Sequence, residues 1–207
     1  VLKLPEHLNI ISWNYDNQFE IAYEKYLSDN NFKEFKSSDN LKIIPCAYKK
    51  YDISNKRLIK LNGHCTRAIL DPRSDELHKT YNFKKALELL VEDKKIPIKI
   101  KYAWEEFDDK LYKSNPEETL HTKMMNQAKK VIRETKELVI IGYSFPYFNR
   151  EIDNQILKEG DFNKIYIQEI NMDRFNAVKE NLLSIIGDHN ESKVIPKLDT
   201  SQFFIPM

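Results

Sequence analysis

Residues 137–146, ELVIIGYSFP, constrain the fold more than any other stretch of the chain. A run of leucine, valine and isoleucine stops abruptly at a glycine, and a serine and a proline follow. Such a run reads as a short buried strand. It sits inside a regular alternation. Before it, Leu120, Met124, Ala128, Val131 and Ile132 recur at helical spacing, with Pro116 suited to a first helical turn and Ser114 or Asn115 placed as a cap. After it come a helix over about 149–158, the strand KIYIQEI (164–170), a helix over 173–186 and a last extended piece, KVIPKL. Helix and strand in strict alternation imply a parallel sheet with helices on both faces, so the fold class is α/β.

The front of the chain fits the same scheme. LNIISWN (8–14) reads as a strand, followed by a helix to about Leu27 that Asp16 would cap, with Phe19, Ala22, Tyr23 and Tyr26 at helical spacing. LKIIP (41–45) and RLIKL (57–61) read as two more strands. Between about 67 and 115 the pattern is irregular, with one helix expected at 83–93 and an aromatic, charged run, YAWEEFDDKLY. No Gly/Ser linker flanks this segment. It is an insertion packed on a single domain spanning 1–207.

Composition excludes several function classes. The 207 residues carry a formal net charge of +1, with 41% hydrophobic and 31% charged residues. That balance gives no electrostatic reason to expect nucleic acid or an anionic membrane as partner. No apolar run approaches the length of a bilayer span, and the start reads as neither a signal nor a transit peptide. Two cysteines, Cys46 and Cys65, make no disulfide framework, which points to a reducing cytoplasm.

Only four glycines are present. Gly160 and Gly187 fall just past helices, where left-handed cap residues are expected. Gly63 and Gly142 instead fall where apolar strands run out. In an open parallel sheet, ligands bind in the crevice beyond the carboxyl ends of the strands. The groups at those ends are Asn14-Tyr15-Asp16, Asn62-Gly63-His64, Gly142-Tyr143-Ser144 and Glu169-Ile170-Asn171. Each end supplies small or hydrogen-bonding groups. The plain alternative is that Asn14, Asp16 and Asn171 cap the next helix and that Gly142 relieves crowding. Four polar ends together favour a polar ligand site.

These segments resemble, in order, the signatures of the bacterial sirtuin-like domains. ISWNYDNQFEIAY is similar to the strand and helix carrying their Asn-Tyr-Asp signature. RLIKLNGHCT resembles Lys-Leu-His-Gly, ELVIIGYSFPYFNREID their Leu-Val-Ile-Ile-Gly-Tyr-Ser-Leu-Pro segment, and KIYIQEIN a later strand ending in Ile-Asn. The resemblance implies a Rossmann-like three-layer fold that binds nicotinamide adenine dinucleotide (NAD), as substrate or ligand, without a metal. Asn14 and Asp16 would face the nicotinamide and its ribose, with Tyr15 and Gly63 beside them. Gly142, Tyr143 and Ser144 would line the ribose and phosphate region, and Glu169 and Asn171 the adenosine end. Bacterial members are often hydrolases that deplete the dinucleotide during phage infection. The resemblance therefore also raises a homo-oligomer or a defence-system protein as partner. A catalytically inactive module holding an ADP-ribose-like ligand or a protein is the alternative.

The sequence departs from the family pattern at three points. The family's general base, the histidine of Lys-Leu-His-Gly, is replaced by Asn62, which cannot take a proton; general-base help is worth ~10²–10⁴-fold. His64, two residues on, would point the same way on an extended strand, and its alternative is a structural histidine. No Gly-x-Gly phosphate loop exists in the chain, and a further N-terminal segment that supplies one is expected. Paired Cys-x-x-Cys motifs for zinc are also lacking, which argues against a zinc-dependent deacetylase.

Overall fold

The computed structural model describes residues 7–14, 18–29, 42–44, 57–62 and 120–206. Over these it is a mixed α/β protein with short parallel sheets. The chain divides into two compact units, Val1–Met124 and Met125–Met207.

In the first unit, strand β1 (Asn9–Ser12) leads into helix α1 (Gln18–Asp29), and strands β2 (Lys42–Ile44) and β3 (Arg57–Lys60) follow. All three strands are parallel, in the order β1-β3-β2, with Ser12 opposite Lys60. The middle strand should be the most apolar, and Leu58, Ile59 and the following Leu61 have no exposed surface. The ladder runs one step past the strands, where the Leu61 N–H donates to the Ser12 carbonyl at 2.9 Å.

Helix α2 (Leu120–Glu134) opens the second half, followed by strand β4 (Glu137–Ile141), a 3₁₀ turn (Tyr147–Asn149) and helix α3 (Arg150–Leu157). Strand β5 (Lys164–Gln168), helix α4 (Met172–Ile186), a second 3₁₀ turn (Asp188–Lys193) and strand β6 (Val194–Lys197) complete it. The sheet order is β4-β5-β6, all parallel. Strand order follows chain order, so right-handed crossovers place α3 and α4 on the same face of the sheet. The two helices pack together there. The apolar stripe of α2 is buried as its spacing predicts, at Met124, Ala128, Val131 and Ile132. Central β5 buries Ile165, Tyr166 and Ile167, and α4 buries Phe175, Val178, Leu182 and Leu183. Each such side chain contributes ~1.5–3 kcal/mol of transfer free energy against the entropy of ordering it.

Several expectations need correction. Among the described residues the strands form two hydrogen-bonded sheets of three, not one. Gly160 is not a left-handed cap; a Cβ there would overlap the ring of buried Phe162, so the glycine serves close approach. Gly187 does end α4 at a positive φ, +89°, with its N–H on the Leu183 carbonyl at 2.8 Å, but its ψ of 145° lies outside the left-handed helical cap conformation that was expected. The insertion at 67–115, the helix at 83–93 and the helix start at 114–116 lie outside the described residues. Among the described residues no helix is long and apolar enough to cross a membrane.

One polar side chain, Gln168 at the end of β5, organises the C-terminal segment. It is 4% exposed. Its Nε2 donates to the carbonyls of Asp199 and of Gln202, the latter at 2.7 Å, and its Oε1 accepts from the Phe204 N–H at 3.0 Å. The Phe204 ring then lies 4.8 Å from that of Tyr166. Gln168→Ala leaves those backbone groups short of a partner, so equilibrium unfolding should show a loss of ~1–3 kcal/mol. Unchanged stability would mean that water serves the segment equally well.

Candidate functional site

The candidate residues lie at the carboxyl ends of the parallel strands, and each sheet brings two of the segments to one edge. In the first unit, just past β1, the Asn14 N–H donates to Ser12 Oγ at 3.1 Å. Asn62 follows β3, and its Nδ2 donates to the Trp13 carbonyl at 2.6 Å. Asn14 is exposed and Asn62 half-buried. The position expected to carry a general base thus holds an amide that ties two strand ends together. Ser12 was not singled out in the sequence, although a serine two residues before an asparagine at a strand end is a turn signal. Tyr15, Asp16, Gly63 and His64 lie outside the described residues.

In the second unit, the stretch after β4 is conformationally unusual. Gly142 has φ +63°, and nothing lies within 4 Å of where a Cβ would be. Crowding is therefore not the reason for the glycine; the left-handed backbone is. Three residues on, Phe145 also has positive φ, at 55°. A bulky residue in that region costs of order 1–3 kcal/mol and persists only where the surroundings over-determine it. Here the ring is 4% exposed and stands edge-on to Tyr143 at 4.8 Å between centroids. Pro146 removes the right-handed helical alternative for the residue before it. Two left-handed turns in quick succession carry the chain from the strand end to α3.

A buried polar network holds this loop. The Tyr143 hydroxyl donates to both carboxylate oxygens of Asp153, at 3.0 and 2.9 Å, and accepts from Asn149 Nδ2 at 3.0 Å. Asp153 is 2% exposed and Asn149 3%. Burial pushes the Asp153 carboxyl up to about 7, against the opposing effects of the Tyr143 hydrogen bond and the nearby Arg150 charge. Burial, followed by the Asp153 charge, drives the Tyr143 hydroxyl well above the ordinary phenol range. Tyr143, expected to contact a ligand, has its hydroxyl engaged in fastening the β4 end to α3. Asn149 and Asp153 were missed because residues on a short amphipathic helix look solvent-facing until Tyr143 is placed opposite them.

The remaining candidates divide. Ser144 is exposed, and its carbonyl accepts from Asn181 Nδ2 at 3.0 Å. Asn171 caps α4, its Oδ1 accepting from the Arg174 N–H at 2.9 Å, so the plain alternative describes its side chain. Glu169 is half-exposed, and its N–H extends the ladder to the Lys197 carbonyl at 3.0 Å. Among the described residues no group of three or more histidine, cysteine or acidic side chains could hold a metal ion. Compared with protein-family models, with curated proteins and with solved structures, the chain matches none.

Because folded Asp153 keeps its proton up to about 7 and an unfolded aspartate loses it near ~3.9, the folded state binds more protons between those values. Stability should therefore fall as pH rises through that window and level off above it. Thermal unfolding of Asp153→Asn should lack this component, so its curve against pH should be flatter than wild type between about 4 and about 7. Parallel curves would remove Asp153 as the titrating group.

Proposed function

We propose that the chain is a sirtuin-like, Rossmann-type domain that binds NAD at the carboxyl ends of its parallel strands and hydrolyses the nicotinamide–ribose bond. The observation that carries this reading is the pairing of the four signature segments at strand ends. Parallel register sets the segment after Ser12 beside the one after Lys60, and the segment after Ile141 beside the one after Gln168. Ligand sites of open parallel sheets form at such edges, and the left-handed backbone at Gly142 leaves open space where a side chain would stand.

In the reaction, water attacks the anomeric carbon of the ribose as the bond to the nicotinamide nitrogen breaks. The nitrogen keeps the electron pair and nicotinamide leaves neutral, while the water's proton passes to a base. Asn62 cannot be that base, and its amide is already held by Trp13. His64 is the candidate that the sequence supplies. The Asn62–Trp13 bond equally favours a second reading, in which the site is non-catalytic and holds an ADP-ribose-like ligand or a protein partner.

Incubating the purified full-length protein with NAD and following free nicotinamide separates the two. Hydrolysis predicts release that survives Asn62→Ala, is lost in Asn14→Ala, and falls by ~10²–10⁴-fold in His64→Ala. Absence of release at every protein concentration rejects hydrolysis and leaves the binding module.

A further inference from the structure

A second feature lies beside the strained loop, wholly within the second unit. A cleft of about 290 Å³ opens between the Ser144–Tyr147 loop and helix α4. Arg150 and Arg174 both line it, and no carboxylate does. Neither arginine side chain makes an ion pair among the described residues. The Arg150 Nε is shielded from solvent and has no hydrogen-bond partner, an arrangement that costs stability unless something completes it.

We propose that this cleft binds a phosphate-bearing ligand, with Arg150 and Arg174 as its charged contacts. Two guanidinium groups without a lining acid leave two positive charges, which a phosphate monoester or a pyrophosphate balances and a single carboxylate does not. Guanidinium forks match phosphoryl oxygens in pairs. Two acids share the first turn of the Arg150 helix, Glu151 and Asp153; neither lines the cleft, and Asp153, whose charge Arg150 does feel, is buried and holds its proton up to about 7. Ser144 adds an exposed hydroxyl and Asn181 an amide whose other N–H is not used by the Ser144 carbonyl. Tyr147, 86% exposed at the rim, offers a ring face on which a base could stack. Burial of Phe145 in its left-handed conformation fixes the loop wall of the cleft. Ser144 also belongs to the ribose and phosphate region that the sirtuin-like reading implies, so the inference deepens that reading, but none of the cleft's residues takes part in the nicotinamide step.

The test is calorimetric titration of the full chain with inorganic pyrophosphate and, separately, with ADP-ribose. Binding should weaken about 10- to 100-fold in Arg150→Gln and in Arg174→Gln, as expected for loss of a charge-assisted pair. It should be partly kept in the corresponding lysine variants, which retain the charge but not the fork. The lysine variants also guard against misfolding: an inactive glutamine variant beside a binding lysine variant reports on the guanidinium. Equal, arginine-dependent binding of both probes marks a free phosphate group as the feature recognised. Tighter binding of ADP-ribose, lost in the same variants, marks a nucleotide ligand. Failure of the wild-type chain to bind either probe, or undiminished binding in the Arg150→Gln/Arg174→Gln double variant, overturns the proposal. Neither result depends on whether nicotinamide is released.

Discussion

The backbone turn at Gly142 is the constraint on which the rest of the second unit depends. Strand β4 must end, and its chain must leave the sheet in a direction that lets α3 return over the β4–β5 pair. A left-handed residue at the strand end achieves this, and glycine takes that conformation without a steric penalty. Phe145 is also left-handed, at φ 55°, and has no such freedom. It is held by burial, by the Tyr143 ring and by Pro146. Tyr143 in turn is fastened by Asn149 and Asp153. Strain in the loop is thus offset by packing and by a buried hydrogen-bond network, and the network fixes where the loop can present groups to a ligand.

Much of this was legible in the sequence, and the reasons are specific. Alternation of apolar runs with helical spacing located the elements of the second half, because parallel strands buried on both faces carry continuous apolar stretches. The stripe from Met124 to Ile132 is as buried as its spacing predicts. Asn171 and Gly187 showed both ends of α4 through the chemistry of caps. What was not legible depended on distant partners. Gly160 looked like a cap, but the ring of Phe162 decides its identity. Asn149 and Asp153 show no sequence signal, since a buried acid is recognised only once its hydroxyl partner is in place. Gln168 reads as an ordinary strand residue until the segment 199–204 folds over it.

The candidate edge of the first unit carries its own physical tension. Asn62 and Asn14 come to the same end of the β1–β3 pair, as residues sharing a site should. Yet the Asn62 amide is drawn to the Trp13 carbonyl at 2.6 Å, a strong and specific tie that a catalytic base would not make. Asparagine here stabilises the strand ends, so proton transfer must be done by another group or not at all. The second unit, by contrast, gathers two arginines without a lining acid beside its strained loop.

The conformational claim at Gly142 can be tested without reference to any ligand. Open space surrounds the position, so a side chain there meets no clash, and any cost reports the backbone. Equilibrium unfolding of Gly142→Val and Gly142→Asn makes the comparison directly, because both replace glycine while only asparagine tolerates left-handed backbone. The account predicts that valine costs at least ~1–2 kcal/mol and asparagine clearly less. Equal stability of the two variants would contradict it.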